Sequence, residues 1–132
     1  MNVEEIVQYW LESAEDDWPV IQHLVESGDY RHALFFGHLY LEKLLKALVV
    51  RATESHAPRT HNLLFLAERA DLDLSEETSD LLLRVTGKSI DTRYPEAPGQ
   101  EEKYTKNYVK NELQEIKEVG EWLKSRLKAE KS

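Results

Sequence analysis

Apolar residues recur along this chain at helical spacing. Val3, Ile6, Val7, Trp10, Ala14, Trp18, Ile21 and Val25 fall on one side of a 3.6-residue wheel, which predicts a first helix capped by Asn2 and stopped at Gly28. Glu12, Glu15 and Asp16 make its other face acidic. Pro19 lies within that helix, where the missing N–H and the ring cost about 3 kcal/mol, so a kink or a break is expected near Glu15 to Trp18.

The next apolar run, Tyr30 to Ala52, is patterned differently. Tyr30, Leu34, Leu41, Leu45 and Leu48 form a central stripe, with Ala33, Gly37, Leu44 and Val49 beside it. Phe35, Phe36, Leu39, Ala47 and Val50 occupy the opposite side, among His32, Lys43 and Lys46. A helix apolar nearly all round is buried all round. It either takes the middle of the bundle or lends its second face to another chain, since exposed phenylalanines forgo roughly 1.5 to 3 kcal/mol each. A homodimer using this helix is the expectation.

Polar punctuation places the rest. "SHAPRTHN" forms a loop, and Thr60 is positioned to cap a short third helix through Leu63, Leu64, Ala67 and Ala70. Ser75 caps a fourth, with Glu76 and Glu77 at the positive end of its dipole, ending near Gly87 or a turn later. "RYPEAPGQEEK" is the longest loop. The last helix carries Val109, Leu113, Ile116, Gly120, Leu123 and Leu127 in a heptad-like seam. The fold class is therefore all-α, an up-and-down bundle of about five helices forming one domain over residues 1–132.

Composition narrows the function. The chain has 132 residues and no cysteine, which removes disulfides, thiolate metal sites and a cysteine nucleophile and suits a cytoplasmic protein. The N-terminus carries acids where a secretory signal carries a basic segment, and no apolar run approaches the roughly 20 residues of a membrane span. A net charge of -8 argues against a general nucleic-acid coat but leaves room for a local basic pocket.

Chemistry has few footholds. No phosphate loop, serine elbow or H-E-x-x-H motif occurs, and the five histidines lack the spacing of zinc ligands, so neither metal nor cofactor is expected. In "RHALFFGH", Arg31 and His38 share a face but stand about 10 Å apart along the axis, too far to grip one phosphate within a subunit. Glu42 and Lys46, one turn apart in "EKLLKA", pair along the helix while Lys43 projects away from them. Those lysines read either as an ordinary surface pair and a snorkelling neighbour or as charge for a ligand.

"DTRYPE" has two readings. Arg93 can fork onto a phosphate while Tyr94 stacks on a base. Alternatively Arg93 neutralises carboxylates of the first helix and Tyr94 packs at a helix end.

"YWLESAEDDW", "ESGDYRHALFFGHLYLEKLLKAL", "APRTHNLLFLAERA" and "DTRYPE" succeed one another in an order that resembles the HEPN domain family, from about Tyr9 to Arg126. The resemblance implies a dimerising bundle of about five helices associated with nucleotides or RNA. It also implies a minimal nucleotidyltransferase as partner, in a toxin-antitoxin-like module. Several branches of the family are metal-independent endoribonucleases with an Arg, four to six intervening residues and a His, at the passage from helix four into the last helix. Arg93 occupies that arginine's neighbourhood, but no histidine follows His61. Without an imidazole, cleavage forgoes a general acid-base contribution of roughly 10²- to 10⁴-fold. The resulting expectation is a nucleotide- or RNA-binding protein with Arg93, Tyr94, Lys43 and Lys46 on the ligand side. An active endoribonuclease, with His38 or His61 brought to Arg93 across the dimer, and a pure protein-interaction module are the alternatives.

Overall fold

A computed structural model of the protein describes residues 2–93 and 104–131, except for the side chains of 89–93 and 129–131. Its helices are α1 Val3–Glu26, α2 Tyr30–Thr53, α3 Leu63–Arg69, α4 Glu76–Arg93 and α5 Lys106–Lys131. Among the described residues there is no strand.

Side-chain oxygens start most of these helices. Asn2 Oδ1 accepts from the Glu5 amide at 2.9 Å while Asn2 Nδ2 donates to Glu5 Oε1 at 3.0 Å, satisfying an orphan donor of the first turn. Ser75 Oγ accepts from the Thr78 amide and Thr105 Oγ1 from the Tyr108 amide, starting α4 and α5. The cap of α3 is Asn62, not Thr60: Asn62 Oδ1 accepts from the Phe65 amide, and Thr60 Oγ1 accepts from the Asn62 amide one step earlier. Thr60 thus shapes the turn that delivers the cap.

At two other places the sequence reading left alternatives, and the helix spans bear on both. α1 passes through Pro19 as one uninterrupted helix. Pro19 and Glu15 are both partly open to solvent, so the Glu15 carbonyl that loses its amide partner lies on the water side, and the packing of α1 on α2 holds the rest of the helix in place. α4 likewise runs beyond Gly87 to Arg93. Gly87 is exposed and costs about 1 kcal/mol of helix propensity, which the flanking turns tolerate.

Gly28, at φ 80°, turns α1 into α2 by taking the left-handed conformation that closes the helix C-terminus. α2 then runs antiparallel to α1: the Trp18 and Tyr40 rings pack at a tilt with centroids 5.0 Å apart, Asp17 meets Lys43 at 2.8 Å, and Glu4 meets Arg51 at 3.1 Å. α5 runs alongside α2 in the same direction. Gly37 faces Leu113 and Ile116, Gly120 faces Tyr40, and the Arg51 guanidinium donates to the Leu127 carbonyl. α4 returns antiparallel to α5, with Arg84 on Glu112 and Glu115 and Lys88 over the Tyr108 ring.

The middle position therefore belongs to α2, which packs against all four other helices. Both of its apolar faces are used within the chain: Leu41, Leu44 and Leu45 are wholly buried, and so are Ala47 and Val50 on the side expected to meet a second copy. Phe35, Phe36 and Leu39 stay only half-buried. Side chains from all five helices close one contiguous apolar core.

Candidate functional site

Charge has been folded into the α1/α2 seam. Glu42 is 5% and Lys46 9% exposed, and Lys46 Nζ donates to Glu42 Oε2 at 3.1 Å. Lys46 also lies 5.4 Å from the Trp10 ring, a cation over an aromatic face. Lys43 is held 2.8 Å from Asp17 Oδ2 on the opposing helix. Both ammonium groups are thus partnered by carboxylates inside the bundle, a closer engagement than a solvated surface pair.

The loop before α3 is tied to the same place by two histidines. His61 Nδ1 stands 2.7 Å from Glu42 Oε1, and since a carboxylate only accepts, Nδ1 carries the proton. His38, 1% exposed, donates from Nε2 to the His61 carbonyl at 2.9 Å, with its Nδ1 3.9 Å from Glu42 Oε1. Glu42 is the hub. The His61 side chain is 55% exposed, so a buried carboxylate orients a water-accessible imidazole, the pairing a histidine general base uses. The sequence paired Glu42 with Lys46 and offered His61 as a candidate histidine, but not the contact between Glu42 and His61, because nineteen positions and a proline-containing loop separate them.

Arg93 lies elsewhere. Thr86 Oγ1 accepts from the Leu63 amide at 3.1 Å, which sets α4 position 86 at about the height of His38 on α2. Seven residues lead up α4 to Arg93 and five lead the other way along α2 to Lys43, so the two stand roughly 18 Å apart along the bundle. The structure sets Lys43 and Lys46 along the same α1/α2 seam, on different partners, and leaves Arg93 at the far end of α4. Tyr94 lies outside the described residues, as does the Arg93 side chain.

That end of the bundle has its own character. Tyr30, Arg31 and Tyr104 join Gly28 and Asp29 around a pocket of about 170 Å³ where α2 begins and the chain re-enters toward α5. One turn inward, Lys88 lies 4.8 Å from the Tyr108 ring, and the neighbouring Tyr108 phenol raises its pKa. Guanidinium and aromatic groups here suit a phosphate and a base. Arg31 was set aside as a catalytic partner of His38; its position at the α2 N-terminus places it instead at the same end as Arg93.

Among the described residues, no group of three or more His, Cys, Asp or Glu could hold a metal ion, and no helix is long and apolar enough to cross a membrane.

Residues 7–127 match the sequence model of the HEPN domain. The crystal structure of TT1696 from Thermus thermophilus superposes with a TM-score of 0.79 at 25% identity, covering 95% of this chain and 98% of that one. No curated protein sequence matches.

Proposed function

The chain belongs to the HEPN domain family, and on that footing we propose that it binds rather than cuts, taking a nucleotide or RNA end at the bundle end where α4 closes on Arg93. Family membership supports a role in nucleotide or RNA handling or in protein interaction. Within that range one observation carries the choice of site: α4 runs past Gly87 and delivers Arg93 to the end that holds the Tyr30, Arg31 and Tyr104 pocket.

In this reading Arg93 grips phosphate and Tyr94 supplies a stacking surface. Lys43 and Lys46, engaged with Asp17 and Glu42, hold the seam of the bundle instead of the ligand. A second copy covers Phe35, Phe36 and Leu39, and a nucleotidyltransferase is the functional partner in a toxin-antitoxin-like pair. Incubation with end-labelled RNA and with labelled ATP tests the reading. Retention of intact ligand supports it; neither retention nor cleavage leaves a protein-interaction module.

One observation favours an endoribonuclease as the second reading: the His61 imidazole is oriented by Glu42 and open to water. That reading requires RNA cleavage that persists in EDTA and disappears in both Arg93→Ala and His61→Ala.

A further inference from the structure

On the side of the bundle away from the α1/α2 seam, α4 and α5 diverge and leave a cleft of about 420 Å³. Each helix contributes the same helical stripe, at i, i+3, i+4 and i+7: Glu77, Asp80, Leu81 and Arg84 on α4, and Glu115, Glu118, Val119 and Trp122 on α5. Apolar groups therefore line the floor and carboxylates line both rims. Trp122 remains 37% exposed, a large aromatic left partly in water.

The charge of the groove is one-sided. Among the described residues Arg84 is the single basic one lining it, and its guanidinium is already committed to Glu112 and Glu115 at 3.0 and 2.8 Å. Among the described residues, no basic side chain pairs with Glu77, Asp80 or Glu118. Unbalanced carboxylates on two facing walls set a potential that the core does not need, while the exposed indole between them needs cover.

We propose that this groove docks a basic amphipathic helix of a partner protein. Two antiparallel walls about two turns long offer a third helix the seat it would have in a bundle. Its apolar side chains fill the floor at Leu81, Val119 and Trp122, and Lys or Arg at i and i+3 or i+4 meets Glu77 and Asp80 on one rim and Glu118 on the other. A second copy of this chain is the poorer occupant, because its net charge of -8 repels the rims. The site is separate from the Arg93 end and does not depend on nucleotide binding.

The test uses a fluorescein-labelled model helix of Leu and Lys, about 18 residues long, and its Leu/Glu counterpart, titrated by anisotropy. The Lys helix binds and the Glu helix does not. Glu77→Lys with Glu118→Lys, and separately Trp122→Ala, each weakens binding at least about tenfold, the loss expected for a central anchor. Glu12→Lys with Asp16→Lys, an equal charge change on the exposed face of α1, leaves it unchanged. Equal weakening by the α1 pair means that net charge alone attracts the probe, and overturns the proposal. So does a change of molecular mass by light scattering in Trp122→Ala, which assigns the groove to a second copy. Circular dichroism confirms that each variant is folded.

Discussion

His61 reaches across a loop to Glu42, its Nδ1 donating to the buried carboxylate at 2.7 Å while Lys46 holds the other oxygen at 3.1 Å. One helix and one loop thus meet at a single buried carboxylate. The arrangement fixes where the chain returns after α2 and therefore where α3 and α4 start.

Removing the hub strands a charge. Glu42→Ala leaves Lys46 buried without its carboxylate and lowers stability by about 3 to 5 kcal/mol. Replacing both at once, Glu42→Leu with Lys46→Met, costs less than Glu42→Ala alone because no ion remains unpartnered. Urea midpoints of the two variants decide the order.

Pro19 is tolerated, not needed. Its ring removes one backbone bond at a solvent-facing turn of α1, so Pro19→Ala restores that bond and stabilises the protein by about 1 to 3 kcal/mol. Chemical denaturation measures the gain. A loss instead would show that the ring makes a contact the helix depends on.

Gly120 allows α5 to lie against Tyr40. A Cβ there would run into the Tyr40 ring, so Gly120→Ala destabilises by about 1 to 3 kcal/mol despite alanine's better helix propensity. In a Tyr40→Ala background the same substitution becomes neutral or stabilising. Thermal unfolding of the four proteins in this cycle reports the coupling.

Tyr40 also sets an alkaline limit. Burial, helped by the carboxylates of Glu121 and Glu15, pushes its phenol up from 10.0 to about 12. Between those values the unfolded chain has released a proton that the folded chain still holds, so stability falls as pH rises through that window. Tyr40→Phe flattens this decline. Denaturation midpoints measured from neutral pH upward show the difference.

How far the sequence could be read depended on separation along the chain. Periodicity exposed α1, α2 and α5, and the Asn2 and Ser75 caps were legible because a cap is a relation over three residues. Thr60 and Asn62 are both good caps, and only the folded turn chooses between them. The doubly apolar α2 was visible, but not whether the chain or a second copy covers it, since that depends on how α5 and the α3 loop return. The Glu42 to Lys46 pair was legible at one turn's spacing, but the partner of Lys43 was not, because Asp17 lies on another helix. The Glu42 to His61 contact left no periodic signal, so it had to await the loop that makes it.

Arg93 carries the functional account, and equilibrium titration with ATP and with a short RNA, comparing the protein with Arg93→Ala, tests it most directly. Loss of a charge-assisted grip on phosphate weakens binding roughly 10- to 100-fold, with the melting temperature unchanged. Equal affinity of the two proteins, or a variant that unfolds without the protein ever having bound either ligand, would contradict the account and make Arg93 a structural residue.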